Sequence, residues 1–187
     1  MKENPYQEDR EQMQELLRQY ENLKNGRKNS FIEEDAFEKI INYFEEKEEL
    51  AKALEAADIA IEQYAYSSVL LVRKADILLT ARRYRDALEI LDRASLFDSS
   101  DINLYILKTD AYLALDEPEK AVALLEEALT VFEGEERIEL LFELSDVYDD
   151  YEEFEKVFDC LKMVLEQDPN NEEALYKICF WTDFTGR

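Results

Sequence analysis

The sequence predicts an all-α chain built from tandem helical hairpins, and three observations carry that reading. Among 187 residues there are only 3 Gly and 3 Pro, where average usage would supply roughly 20 of the two together. Apolar residues make up 47%, the composition of a chain that folds around a core rather than staying disordered. Alanines recur with a fixed period: Ala53, Ala87 and Ala121 lie 34 apart, and Val157 follows after 36. A sandwich or barrel needs frequent turns, and this chain lacks the residues to make them.

Taken in order, the elements begin outside the repeat. Met13, Leu16, Leu17, Tyr20 and Leu23 form an apolar stripe on a helix predicted from about Glu8 to Lys24, ended by Asn25-Gly26. This segment, residues 1–33, either caps the open face of the first repeat, as solenoid ends require, or docks elsewhere, for instance on a second copy. From residue 34 four registers share one period. Beside the first alanine series run Ala60, Ala94, Ala128 and Val164; then Phe37, Leu71, Tyr105, Leu141 and Leu175; then Phe44, Leu78, Tyr112 and Tyr148. All four slip by two residues between Phe132 and Arg137, around Gly134, where an interhelix loop is expected to absorb the insertion.

Each unit reads as two helices. In the second, Leu71, Lys74, Ala75 and Leu78 mark a first helix, A, and Ala87, Leu91 and Ala94 a second, B, at helical spacing. The small residues let helices approach closely, within a unit at Ala75 and Ala87 and between units at Ala94. At the eighth position stand Ile41, Ala75, Thr109, Ser145 and Cys179, so Cys179 is read as packing. Pro118 fits the first turn of its helix B, and Pro169 stops the last one.

This pattern resembles the tetratricopeptide repeat (TPR), a 34-residue helix–turn–helix unit with large apolar, small and Tyr/Leu positions on helix A and small residues on helix B. The resemblance covers units 34–67, 68–101, 102–137 and 138–171, then a lone helix A at 172–187; solenoids with units of about 40–47 residues fit poorly. Ala65, Ser99 and Glu133 stand where the family has proline, and its helix-A glycine is absent. The resemblance implies a right-handed superhelix, an α-solenoid, with the A helices lining a concave groove. Carried over by position, the groove residues are Glu38, Asn42, Val69, Val72, Arg73, Asp76, Leu79, Asn103, Ile106, Asp110, Leu113, Glu139, Phe142, Glu143 and Asp146. The groove is then apolar in the middle and acidic at its ends. The carboxylate clamp of chaperone-binding members would fall on Glu38, Asn42, Arg73, Asn103 and Leu107, and only Asn42 matches, so a chaperone-tail receptor is rejected.

Charge and composition exclude other roles. A net charge of −24 repels phosphate backbones and anionic lipid, so neither nucleic acid nor a membrane surface is an expected partner. No apolar run is long enough to span a bilayer, and Met1-Lys2-Glu3-Asn4-Pro5-Tyr6 is no signal peptide. Two cysteines, Cys160 and Cys179, make no disulfide framework, and a reduced cytoplasmic setting is expected. His is absent, which removes the commonest general base and metal ligand. Gly26, Gly134 and Gly186 form no phosphate loop. Asp146, Asp149, Asp150, Glu152 and Glu153 lack the alternation and glycine of a calcium loop and read as a solvated surface. Cys160 has no His partner and sits on the apolar face of its helix B, so it is not read as a nucleophile.

The expectation is therefore a non-catalytic scaffold without cofactor or metal, holding a protein or peptide ligand of basic and apolar character. The alternative is a structural or self-associating segment of a longer array, suggested by Leu175, Ile178, Cys179, Phe180 and Phe184 on a helix A with no helix B behind it. Arg73, Lys74, Arg82, Arg83 and Arg85 form a local basic patch in a unit whose charges cancel. It either offsets neighbouring acids or receives an acidic partner.

Overall fold

The computed structural model describes the backbone of residues 5–26 and 31–185 and the side chains of 10–26 and 31–182. It divides, between the second and third repeats, into two compact units, Met1–Ser99 and Ser100–Arg187. The first holds α1 (Pro5–Lys24), α2 (Glu34–Glu46), α3 (Leu50–Gln63), α4 (Ser68–Thr80) and α5 (Tyr84–Ser95). The second holds α6 (Ile102–Ala114), α7 (Pro118–Ala128), α8 (Gly134–Asp150), α9 (Phe154–Gln167) and α10 (Glu172–Thr185). No strand occurs among the described residues.

The helix-by-helix reading holds, with two corrections. α1 starts at Pro5 rather than near Glu8. The two-residue insertion is not taken up by a loop: α8 begins at Gly134 and runs 17 residues. The extra residues become an added N-terminal turn, which the Arg137 guanidinium ties to the carbonyl of Leu129 at the end of α7.

Every A–B turn is built alike without a glycine. Glu48, Arg82, Asp116 and Glu152 adopt left-handed φ values of 58°, 59°, 60° and 58°. The amide after each one, of Glu49, Arg83, Glu117 and Glu153, donates back to Phe44, Leu78, Tyr112 and Tyr148 at 2.8–2.9 Å. These are the six-to-one bonds of the Schellman motif. A non-glycine residue in this conformation costs roughly 1–2 kcal/mol, which hydrogen-bonded helix ends and packed hairpins offset.

A second device repeats along the chain. In three hairpins a lysine on the first turn of helix B bonds an acid three residues back and lies over the aromatic ring closing helix A. The sets are Lys52 with Glu49 and Phe44, Lys120 with Glu117 and Tyr112, and Lys156 with Glu153 and Tyr148, the last with Nζ 4.6 Å from the ring centre. In the remaining hairpin the signs are exchanged, Arg83 with Asp86 at 2.6 Å, and the ring becomes Leu78. An aspartate over the negative face of a ring would be repelled.

Packing follows from three rows on each A helix. On α8 and α10 the third, seventh and tenth residues face the preceding helix: Leu140, Leu144 and Val147 on α8 are buried, as are Ala174 and, partly, Ile178 and Trp181 on α10. For α2 that preceding helix is α1. Tyr20 is 1% exposed with its ring 6.0 Å from Phe44, and Lys24 bonds Glu55 at 2.6 Å. The fourth and eighth residues face the unit's own helix B, where Ala53, Ala87, Ala121 and Ala128 are fully buried.

Candidate functional site

A third face of the A helices carries the residues named from the sequence. They fall in two groups, one per compact unit.

In the first unit the charges are matched within the chain. Val69 is exposed, while Glu38, Val72, Asp76 and Leu79 are half-buried. Arg73 on α4 donates to Asp76 at 2.9 Å on its own helix and crosses to both Asn42 and Glu45 on α2. Burial nevertheless holds the Glu45 carboxyl above its usual range, with Asp76 adding and Arg73 opposing. Asn42, the one residue that matched a carboxylate clamp, is thus engaged by Arg73. The basic patch is likewise partly tied down, since Lys74 pairs with Asp58 at 2.6 Å and Arg83 with Asp86. That arrangement corresponds to offsetting adjacent acids.

The second unit differs. Ile106 and Leu113 on α6 and Phe142 on α8 present half-buried apolar surface. Around them stand exposed Asn103, Asp110, Glu139 and Asp146 and half-buried Glu143. Burial raises the Glu143 pKa, and Asp110, Asp146 and Glu139 raise it further, against a smaller opposing pull from Lys177. Asp149 is raised as well, by burial and then by Asp146 and Asp150. Sequence reasoning stopped at the fourth unit and so missed the inner face of α10. The same positions there give Glu173, Tyr176, Lys177 and Phe180. Lys177 reaches Asp146 at 2.6 Å and lies 5.2 Å from the centre of the Phe142 ring.

Lys177 and Arg73 occupy the same position of their units, the sixth, and each bridges to the ninth residue of the preceding A helix. At the corresponding place between α6 and α8 the sixth residue is Glu143 and the ninth is Asp110. Two acids therefore face one another where the other two contacts set a base against an acid or amide.

Among the described residues no group of three or more His, Cys, Asp or Glu could hold a metal ion. Burial pushes the Cys160 thiol up to about 12, so it stays protonated at neutral pH. Cys179, read from the sequence as packing, is instead exposed. A 290 Å³ cavity between α7, α8 and α9 is lined by Pro118, Glu126, Tyr148 and Lys156; it is bordered by the lysine–tyrosine stack of that hairpin. No helix among the described residues is long and apolar enough to cross a membrane.

No protein-family model matches the sequence, and no curated protein matches it. Solved structures do. A thermophilic TPR protein from Thermus thermophilus is 17% identical, with 89% of this chain and 88% of that one covered at a TM-score of 0.65. MamA from residue 41 to its end, from Desulfovibrio magneticus, is 14% identical over 82% and 85% of the two chains, at 0.61. YrrB, described as a TPR protein with an unusual peptide-binding site, is 18% identical over 81% and 77%, at 0.56.

Proposed function

We propose that this chain, TPR-like in fold, is a non-catalytic interaction scaffold whose A-helix faces hold a peptide or helix of another protein. The ligand on the second unit combines basic and apolar side chains. The observation that carries this reading is the state of Glu143. It is half-buried beside Phe142, among Asp110, Glu139 and Asp146, and its carboxyl is held above the usual range. At the second, fifth, sixth and ninth positions of α6, α8 and α10 five acids stand against one base, Lys177, whereas those of α2 and α4 carry three acids and two bases.

A ligand cation relieves this repulsion while its apolar neighbours cover Ile106 and Phe142. Lys177 shows the chemistry within the chain, since its ammonium sits between the Asp146 carboxylate and the Phe142 ring, a combination of ion pair and cation–π contact. An acidic tail meets the opposite, uncompensated repulsion. YrrB provides a peptide-binding precedent on the same fold. A fold alone does not fix a ligand, so the charge pattern bears the argument.

The test is a peptide array presenting basic–apolar, neutral–apolar and acidic sequences to the purified protein, with hits measured by titration. Basic–apolar peptides are expected to bind, and binding should weaken with salt. Selective capture of acidic C-terminal tails would refute the assignment.

A further inference from the structure

The 290 Å³ cavity between α7, α8 and α9 lies within the second compact unit, and none of the residues named on the A-helix faces lines it. Its buried lining residues are Val147 and Tyr148, near the end of α8. Pro118 and Val122 on α7 add half-buried apolar surface, and Tyr151, on the turn after α8, is a 44% exposed ring. The other hairpins carry Lys47, Ala81 and Leu115 at the position of Tyr151, so the repeat does not require an aromatic residue there. The charged lining residues are three acids, Glu119, Glu126 and Glu153, and one base, Lys156. Lys156 is already engaged: it bonds Glu153 at 2.5 Å, and its ammonium lies 4.6 Å from the centre of the Tyr148 ring. Glu126 accepts the Tyr148 hydroxyl at 3.2 Å. Among the described residues neither Glu126 nor Glu119 takes part in an ion pair.

We infer that this cavity binds a small organic cation, an ammonium group carried on a short apolar or aromatic body. Other ligand classes fit the lining less well. An anion would meet the unmatched carboxylates of Glu119 and Glu126. A bare metal ion would leave Val122, Val147 and Tyr151 unused, and no metal-holding group of His, Cys, Asp and Glu occurs among the described residues. A neutral hydrocarbon would take water from those carboxylates and give them no partner in return. An organic ammonium answers both parts of the lining: its body covers the apolar residues, and its charge meets Glu119 or Glu126 and the Tyr151 ring. The cavity wall already holds this chemistry, since the Lys156 ammonium sits between the Glu153 carboxylate and the Tyr148 ring. Apolar contact then supplies most of the affinity, and the carboxylates select the sign of the charge. Ligand pockets commonly enclose about 300–1,000 Å³, so a cavity of 290 Å³ suits a small molecule. The Tyr148 hydroxyl is pushed up to about 12, by burial first and then by Glu126, which agrees with a negative potential in the wall.

The probe is phenethylamine, titrated into the full 187-residue protein in physiological salt and followed by calorimetry. Phenethyl alcohol, the neutral analogue of the same shape, and hydrocinnamate, an anionic one, are titrated beside it. The amine is expected to bind at least tenfold more tightly than the alcohol, and the anion not to bind. Glu126→Gln, at an exposed position, should weaken the amine at least fivefold and change the alcohol less than twofold. Tyr151→Ala, which installs the residue of the second hairpin, should weaken both while helical circular dichroism is kept. Glu143→Lys, on the A-helix face, should leave the amine within twofold. Saturating amine should also leave the binding of basic–apolar peptides unchanged; displacement of those peptides would put the amine on the inner face and overturn the inference. It is equally overturned by equal affinity for amine and alcohol, by preference for the anion, by no amine binding at millimolar concentration, or by a Glu126→Gln protein that binds the amine unchanged. The variants read the cavity whether or not the peptide array yields a ligand.

Discussion

Replacing Glu143 by lysine should move stability and binding in opposite directions. The substitution puts a base at the sixth position of its unit, where Arg73 and Lys177 already sit in theirs. Glu143 lies one turn from both Glu139 and Asp146 on α8, and it feels Asp110 across on α6. Like charges one turn apart destabilise a helix by roughly 0.2–0.5 kcal/mol, and opposite charges stabilise it by a similar amount. Reversing three such interactions, discounted for the cost of holding a charge at a half-buried position, gives a net stabilisation of about 1 kcal/mol. Urea denaturation at pH 7.5 in low salt measures it, and Glu143→Gln should fall between the two. Binding of a basic–apolar peptide should meanwhile weaken about tenfold, equivalent to about 1.4 kcal/mol. A Glu143→Lys protein that is less stable, or that binds the peptide unchanged, would show that the acidic contact is part of the packing and not a seat for a ligand.

Three further outcomes test the fold and its electrostatics. Ala121→Leu should overpack the α6–α7 contact, where Ala121 is fully buried, and cost about 1–3 kcal/mol in urea melts; a silent substitution would place the repeat register elsewhere. The buried Thr109 hydroxyl reaches no hydrogen-bond partner, so Thr109→Val, which keeps the shape, should stabilise by about 1 kcal/mol, and a loss of stability would mean that the hydroxyl is satisfied. Glu45, Glu143 and Asp149 all have pKa values raised in the fold, burial being the first cause in each. The native state therefore holds more protons than the unfolded one, and this contribution to stability falls as pH rises through the raised values and returns on acidification. Thermal melts should shift upward as the pH is lowered from 7.5 towards the ordinary carboxylate range, and a downward shift would refute the assignment of these three groups.

The repeat was legible because it rests on burial. Alanine at a helix crossing is dictated by the distance between axes, so Ala53, Ala87 and Ala121 announce the hairpins wherever they stand in the chain. The turns were less legible. Left-handed residues usually announce themselves as glycine, and here Glu48, Arg82, Asp116 and Glu152 adopt that conformation under the constraint of the hairpins around them. The two-residue insertion was misplaced for a similar reason. Gly134 signals a break, yet it marks the start of α8, whose added turn is held by Arg137. Cys179 was misread because its position is buried only where a following helix covers it. Repeat position defines the face a residue occupies, and the neighbour decides whether that face is buried.

The same distinction governs the charges. Composition gives −24, which says what the molecule repels but not where it attracts. The bases that set the pattern stand at recurring places: Lys52, Lys120 and Lys156 at hairpin turns, Arg73 and Lys177 between adjacent A helices. Each is held by an acid, three residues back for the three turn lysines and on the preceding A helix for Arg73 and Lys177, so the chain's architecture itself consumes positive charge. Of the sixth residues of the units, Lys39, Arg73, Leu107, Glu143 and Lys177, Glu143 is the acidic one. A solvated acidic surface would scatter its surplus around the outside of the molecule. Here a carboxylate is half-buried beside Phe142, and relieving it requires only one ammonium or guanidinium group, the group that Lys177 supplies one turn of the repeat away.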